Sequence, residues 1–550
     1  MNSTIKPCRK AGNMPRKCAS MNTREATFQW MEARGIRALF GNPGSTELPF
    51  LVELPESVRY VLALQESVAI AMADGYAQAS GKPAMVNLHV APGLGNAIGM
   101  LYTALKNRSP LIVTCGQQDT RHMFHEPLLA GDLVGMARPV TKYACEVAQP
   151  ADVPDALEQA YHLALTPPRG PVFVSIPMNF WDAPAEPPRL RALQLPGMPQ
   201  GLERVIDALT ASQKPALVLG AGVGSAGAVQ EAVALAEKLG CAVYHAPINS
   251  RLAFPTDHPL YEGMLLPAVP RLLQTLQPYD FVLVVGAPLF LLYPYFPGAL
   301  LPPDVRAMLI TNDPLEASRA PAEAAFVGDI KAALGWLAEH VPARDYTLPS
   351  RAVEEARRRS EATRARSQMG TFYVLYTLAR CLPKNAIIVD EAVSASLCLR
   401  EYVRIPTTGD YYTSGSGGLG WAMPAAVGIK MAQPDRPVVC VIGDGSVMYS
   451  VQAIWSAVQE NAPVLFLVLN NRAYNILKSF AKAFYPGSES RLQGMDVPHL
   501  DLAALARGMG ASAERIDSPD ALEEALPRAL QADQPILLDV WVDPAVPNLF

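Results

Sequence analysis

Residues 437–471 read PVVCVIGDGSVMYSVQAIWSAVQENAPVLFLVLNN. Five apolar residues, 438–442, run straight into Gly443-Asp444-Gly445. A short β-branched run bounded by glycine reads as a buried strand. Val451, Ile454, Trp455 and Val458 then follow the i, i+3, i+4, i+7 spacing of a helix, and a second apolar strand ends in Asn470-Asn471. Strand, helix, strand at this spacing predicts a right-handed parallel crossover. It sets Asp444 and Asn471, 27 positions apart, at neighbouring strand ends. Turns favour Gly and Asp, so Gly-Asp-Gly alone would be only a tight turn. With an amide at the adjoining strand end it becomes an oxygen-ligand set for Mg2+, a hard cation that completes its shell from water and substrate phosphates. Gly443 and Gly445 would let the backbone approach a diphosphate, with a helix N-terminus aimed at it.

Outward from this unit the chain keeps alternating apolar strands with helical patterns, which predicts parallel sheets with helical crossovers. Block one repeats the architecture without repeating the sequence: strand AMVNLHV, glycine turn APGLGN, helix AIGMLYTALKN, strand PLIVTCG. A proline-rich stretch at 183–201 and a charged, helix-prone stretch at 350–368 interrupt the alternation. The expected organisation is an α/β protein of three doubly wound parallel-sheet domains, at about 22–185, 200–345 and 365–550, behind a disordered leader at 1–21. For 550 residues, several domains rather than one core are expected.

Net charge is −5 and no basic stripe stands out, so nucleic acid is not an expected partner. No apolar run reaches the ~18 residues of a membrane span. The leader is basic but lacks the apolar stretch of a secretory signal. Eight cysteines stand without CxxC spacing and read as free thiols in a reducing, cytoplasmic setting. Block two carries Gly222-x-Gly224-x-x-Gly227 after a strand and before a helix. The dinucleotide fingerprint also wants an acid at the end of the next strand, and His245 stands there instead. A plain strand–turn–helix packing role is therefore expected, with a nucleotide-binding dehydrogenase built on block two as a rival reading.

The GDG…NN pattern resembles the thiamine-diphosphate signature, and from about residue 22 to the end the chain is similar to the thiamine-diphosphate-dependent decarboxylase and acetolactate-synthase superfamily. GNPGSTELPFL (41–51), LALQESVAIAMADGYAQASGKPA (62–84), GGLGWAMPAAVG (417–428) and GDGS (443–446) read most like its benzoylformate decarboxylase branch. The resemblance implies a pyrimidine-binding domain, a central Rossmann-like domain and a diphosphate-binding domain. It implies thiamine diphosphate and Mg2+ as cofactors, and a homotetramer, a dimer of dimers, with sites between subunits. The implied activity is nonoxidative decarboxylation of a 2-oxo acid to an aldehyde, the cofactor serving as electron sink. A carboligase, in which a second carbonyl compound is the final acceptor, stays open beside it.

The same resemblance assigns roles. Glu66 would hydrogen-bond the aminopyrimidine, which otherwise reads as a helix-surface acid. Asp444, Asn471 and the Ala473 carbonyl would hold Mg2+. Ser394, Gly445, Ser446 and the Tyr474 amide would hold the diphosphate. Leu419 would wedge the cofactor into its bent form, and the Gly417 carbonyl would face the aminopyrimidine. His89 would be a proton carrier, and Ser45 would contact the substrate carboxylate or cap a helix. The chain also departs from the branch. Tyr293 stands where a second histidine is expected. His125, in Phe124-His125-Glu126, falls in a loop where acetolactate-synthase relatives present a glutamine, so it is a candidate proton donor. His122 and His125 have no converging partners that would make a metal site. In the substrate pocket Ile476 replaces a small residue and Thr413 an aromatic, while Phe480 is kept. These exchanges shift the preferred 2-oxo acid without excluding aryl ones.

Overall fold

The computed structural model describes residues 21–406, 411–488 and 492–546; most of the expected leader lies outside them. The first sheet contains β1 (Ala38–Gly41), β2 (Arg59–Leu62), β3 (Ala84–Leu88), β4 (Leu111–Gln117), β5 (Tyr143–Glu146) and β6 (Val172–Pro177), in the order β2-β1-β3-β4-β6-β5. The second contains β7 (Pro215–Leu219), β8 (Ala242–His245), β9 (Tyr261–Met264), β10 (Phe281–Val285), β11 (Arg306–Thr311) and β12 (Ala324–Val327), in the order β12-β11-β10-β7-β8-β9. The third contains β13 (Ile387–Glu391), β14 (Tyr411–Thr413), β15 (Val438–Gly443), β16 (Val464–Asn470), β17 (Ser512–Ile516) and β18 (Ile536–Trp541), in the order β14-β13-β15-β16-β18-β17. Every named pairing is parallel, and the central strands are buried on both faces, as their continuous apolar runs require. The three-domain α/β expectation holds. The first and third sheets share one strand order.

That order reverses between the first and third strands of each sheet, β1/β3 and β13/β15. Loops leaving the carboxyl ends of such strands part to opposite faces and open a crevice for ligand. Asn42 and His89 leave β1 and β3 there; Ser394 and Asp444 leave β13 and β15.

The middle sheet also reverses, between β7 and β10, but its crevice is filled. The Gly222 amide donates to the Gly286 carbonyl at 2.8 Å, and the Gly220 amide to Val285 at 2.9 Å. A Cβ on Gly222 would lie 2.7 Å from the Gly286 Cα, and one on Gly220 2.3 Å from the Ala287 Cβ. These glycines let two loops of the protein pack on each other. His245 is fully enclosed, bonded to Tyr261 and Phe254, and burial pushes its pKa down to about 3. The dinucleotide reading has neither its acid nor its space.

The helix after β15 is a single turn, Asp444–Val447, and the amphipathic one starts only at Ala453. The apolar stripe read from Val451 therefore begins ahead of the helix that carries most of it.

Two helices join the first and third domains of one chain. Glu66–Ser80 and Ala422–Ala432 cross in close contact: a Cβ on Gly75 would lie 2.3 Å from the Ala425 carbonyl oxygen, and one on Gly428 1.9 Å from that of Met72. Beside the crossing, buried Asp74 accepts from Gln78, Asn107, Ser109 and the Trp421 indole. Backbone abuts backbone, so an added methyl must push the helices apart. Gly428→Ala is expected to destabilise the chain by about 1–3 kcal/mol. A lowered midpoint in thermal unfolding checks this; an unchanged midpoint would show that the crossing is not tight.

Candidate active site

The register of the third sheet sets Gly443 opposite Leu469, so β15 and β16 deliver Asp444 and Asn471 to adjoining positions. Asp444 is buried, and its Oδ2 has no hydrogen-bond partner. Burial raises its pKa to about 6, against the pull of the Gly445 and Arg472 amides. A buried carboxyl oxygen without a partner is costly to leave unsatisfied. A cation beside it would remove that cost, so the residues present fit a divalent metal. Asn471 Oδ1 accepts from the Ala473 amide at 3.0 Å, which fixes the turn holding both. Gly445 lies against Tyr474, and a Cβ there would meet the ring at 2.4 Å. The Tyr474 amide, however, donates to the Met495 carbonyl at 2.8 Å and is already engaged. Ser446 is buried, its hydroxyl 3.5 Å from the Glu391 carbonyl.

Next to this edge a cavity of about 770 Å3 opens between the middle and third domains. Ser394, Thr413, Gly417, Leu419, Ile476 and Tyr293 all line it. Thr413 donates to the Asp390 carbonyl at 2.7 Å. Tyr293 packs edge-on against Phe480, ring centres 5.5 Å apart. Gly417 holds φ +73°, a conformation that favours glycine.

Glu391, at the end of β13, organises this wall. Its carboxylate accepts from the amides of Gly420 at 2.6 Å, Trp421 at 2.8 Å and Ala422 at 2.7 Å. These amides begin the helix Ala422–Ala432, whose first N–H groups lack intrahelical partners. The clamp fixes the turn that presents Gly417 and Leu419. Burial pushes the Glu391 carboxyl up to about 7 despite the three donors.

A second cluster sits on the first domain. Glu66 opens the helix Glu66–Ser80 and is buried, with Asn96 Nδ2 3.0 Å and Asn42 Nδ2 3.5 Å from its oxygens. His89 precedes the helix Val90–Lys106. Its Nδ1 lies 2.8 Å from the fully buried Glu47 carboxylate and 3.2 Å from the Thr46 hydroxyl. With 21% of the side chain exposed, the ring stays reachable. Gly44 passes directly over the imidazole, where a Cβ would come within 2.2 Å of it. Ser45 is exposed on the same loop. His125 ends a 3-10 turn, Met123–His125, exposed beside Phe124.

One chain keeps the two clusters apart. His89 stands at the N-terminus of Val90–Lys106, whereas Ser416 and Gly415 bond to Thr103 and Asn107 at its other end. A 17-residue helix is about 25 Å long. Glu66, His89 and Ser45 are accordingly absent from the cavity lining.

The thiamine pyrophosphate enzyme models match all three domains: the N-terminal TPP-binding domain at 21–131, the central domain at 202–337 and the C-terminal TPP-binding domain at 392–540. The chain belongs to the thiamine pyrophosphate enzymes. A benzoylformate decarboxylase of Pseudomonas aeruginosa is 41% identical to this thiamine pyrophosphate enzyme over 94% of the chain and 98% of the relative. A thiamine diphosphate-dependent 4-hydroxybenzoylformate decarboxylase of Rhodococcus jostii RHA1 superposes with a TM-score of 0.89 at 37% identity, over 96% of this chain and 100% of that one. The benzoylformate decarboxylase of Polynucleobacter necessarius gives 0.88 at 34%, with the same coverage.

Sequence reading missed Glu47, Asn96 and Glu391. Glu47 lies within the quoted GNPGSTELPFL, two residues past Ser45, and its three-residue distance from Gly44 was the available signal. Glu391 had none, because its partners are 29–31 residues away.

The Glu391 carboxyl takes up its proton near 7 in the folded chain, against 4.5 ordinarily. The folded state thus binds more protons between those values, and the stability this group contributes is complete below 4.5 and lost as pH rises through 7. The stability of the wild type relative to Glu391→Gln should therefore decline from pH 5 to pH 8 in parallel unfolding curves. A difference independent of pH would contradict this placement of the carboxyl.

Proposed function

We propose that this enzyme decarboxylates a 2-oxo acid, benzoylformate-like or smaller, to the aldehyde without oxidation, using thiamine diphosphate and Mg2+ as a homotetramer built from dimers. The observation that carries the reading is Asp444: a buried carboxylate with one unpartnered oxygen, beside Asn471 and Gly445 on a chain similar to benzoylformate decarboxylases over nearly its whole length. Asp444, Asn471 and the Ala473 carbonyl would hold Mg2+. Gly445, Ser446 and Ser394 would hold the diphosphate, with Tyr474 acting through its ring against Gly445 rather than through its amide. Leu419, the Gly417 carbonyl and Glu66 would hold the bent cofactor and its aminopyrimidine. When bound, thiamine diphosphate supplies the sink for the electron pair that CO2 leaves behind.

The chain's own residues do the rest. Glu66, steadied by Asn42 and Asn96, keeps a carboxyl in a water-poor site. Glu47 holds the Nδ1 proton of His89 and leaves Nε2 as the exchanging position. The net reaction consumes one proton, which ends on the aldehyde carbon, and His89 Nε2 carries it. Ser45 offers a hydroxyl to the substrate carboxylate. Ile476 and Tyr293, the latter packed on Phe480, would shape the wall beside the reacting carbonyl. His125, on an exposed loop, is a further proton donor only if a neighbouring subunit covers it.

The subunit arrangement follows from the ~25 Å gap within one chain. A second copy, related by a two-fold axis, can set its Glu66 and His89 over the first copy's cavity, and the reverse. Self-association is thus part of the proposal. No described helix is long and apolar enough to cross a membrane, and the six cysteines within the described residues are free, which suits a reducing cytoplasm.

The test is CO2 and aldehyde release by stripped protein resupplied with thiamine diphosphate and Mg2+, on benzoylformate, pyruvate, a branched 2-oxo acid and phenylpyruvate. Release on at least one acid, dependent on both cofactors, is expected. Release only after an acceptor aldehyde is added would make the enzyme a carboligase. Glu66→Gln should cost about 10²–10⁴-fold in kcat; normal turnover would remove the mechanism. Mg2+ must also displace the Asp444 proton, held with a pKa of about 6. Metal affinity measured calorimetrically with thiamine diphosphate present should therefore be flat above pH 6 and fall about tenfold per unit below it. Affinity constant down to pH 5 would exclude Asp444 as a ligand.

A further inference from the structure

Gly417, Gly418 and Leu419 line the cavity as a short span of chain held at both ends. Before the span, the Gly415 amide donates to Asn107 Oδ1 at 2.7 Å, and the Ser416 and Thr103 hydroxyls meet at 2.9 Å. Thr103 lies on the helix Val90–Lys106, and Asn107 caps its end. After the span, the amides of Gly420, Trp421 and Ala422 all donate to Glu391. One anchor is shared among several groups of two domains. The other is a single buried carboxylate.

Glu391 reaches in two directions. Its side chain holds the span directly after Leu419. Its main-chain carbonyl lies 3.5 Å from the Ser446 hydroxyl, in the turn that opens with Gly443-Asp444-Gly445. The same two pieces of chain meet a second time. Gly420, at φ +92°, lies against Tyr449, where a Cβ would come within 2.7 Å of the tyrosine Cβ. Conformation and space both require glycine there. Glu391 also pairs with Ile442 in the sheet, so strand register fixes the point from which both contacts start.

We propose that Glu391 is a positioning residue that sets the thiamine-ring half of the site, Gly417 and Leu419, at a fixed place relative to the diphosphate half, Gly445 and Ser446. This rests on the cofactor assignment above and deepens it. Glu391 acts through Leu419 rather than by touching the cofactor. Only a carboxylate satisfies the three donors: one oxygen accepts from Gly420, the other from Trp421 and Ala422. Glutamine would turn an NH2 toward at least one of these amides and leave it without an acceptor. The span beside Leu419 would then relax, while Asp444, Gly445 and Ser446 keep their places at the end of β15. A ligand that engages the diphosphate half alone does not sense the change. One that spans both halves does.

The test is calorimetric binding at pH 8, where the Glu391 carboxyl, with its pKa raised to about 7, is ionised. Inorganic pyrophosphate with Mg2+ probes the diphosphate half, and thiamine diphosphate with Mg2+ probes both. Glu391→Gln should bind pyrophosphate as the wild type does and thiamine diphosphate about tenfold or more weakly, as expected for one lost charge-assisted hydrogen bond. Glu391→Asp keeps the charge but is one methylene short of the amides. It should show the same ring-specific loss, and it decides the matter if the glutamine variant does not fold. Leu419→Ala supplies the coupling: added to it, Glu391→Gln should cost nothing further. Where pyrophosphate binds too weakly to measure, this cycle on thiamine diphosphate decides alone. Equal weakening for both ligands, unchanged binding of thiamine diphosphate, or losses that add in the double variant each overturn the assignment of Glu391 and leave the cofactor reading intact. A wild type that binds neither ligand sinks the cofactor reading, and the role of Glu391 with it.

Discussion

The backbone contact between the helices Glu66–Ser80 and Ala422–Ala432 is the constraint on which the rest depends. Two glycines, Gly75 and Gly428, let the helices touch without side chains between them. Contacts Gly75–Ala425 and Gly428–Met72 mean that the helices run in opposite directions. Each helix opens at a functional edge: one with Glu66, the other just after Gly417 and Leu419. Clamped antiparallel, these edges point away from each other in one chain. Buried Asp74 locks the arrangement by accepting from both domains, and burial still holds its pKa above the usual range. Each of its oxygens accepts twice, Oδ1 from Gln78 and Ser109 and Oδ2 from Asn107 and the Trp421 indole, so the buried carboxyl is satisfied on both sides.

From this follows a division of labour that no single domain could carry. The third domain's edge gathers oxygen donors, glycine turns and an uncompensated carboxylate, a site suited to cation and phosphate. The first domain's edge gathers a buried glutamate between two asparagines and a histidine held by a second glutamate, a site suited to moving protons. Both lie at the same place in the same topology, where strand order reverses. The middle domain has its own reversal but closes it with glycine against glycine. The two sheets of one strand order keep their crevices open, and the differently ordered middle sheet fills its own.

Sequence legibility tracks how local each feature is. The crossover from β15 to β16 was legible because apolar run, turn, helix and apolar run lie in one stretch, and Asp444 and Asn471 fall at its two corners. Tyr293, Thr413, Leu419 and Ile476 could be gathered only through the resemblance, being spread over 183 positions. The Gly222-x-Gly224 turn left a nucleotide open as a rival because periodicity cannot show what faces a glycine; Gly222 faces Gly286, 64 residues on, and Gly224 faces Leu252. The Tyr474 amide was assigned by motif, and its engagement with Met495 depends on a chain excursion the motif does not encode. Glu391 was silent for the same reason: it matters for its partners, which lie far along the chain.

The replacement of an expected second histidine by Tyr293 bears on how protons are handled. Decarboxylation to an aldehyde needs one proton delivered to carbon. Tyr293 lines the cavity and leans on the Phe480 ring. His125 is exposed on a loop, and its ring meets Phe124 edge-on with no side-chain hydrogen bond among the described residues. His89 alone has a fixed ring: Glu47 and Thr46 hold Nδ1, Gly44 presses on the face, and the free nitrogen remains reachable. A single histidine can serve the whole turnover only if it returns to one orientation each time, and a fully buried carboxylate at 2.8 Å enforces that. On the proposed function, His89 and Glu47 therefore act as a unit, and the histidine lost at position 293 frees that wall of the cavity to shape the substrate rather than to protonate it.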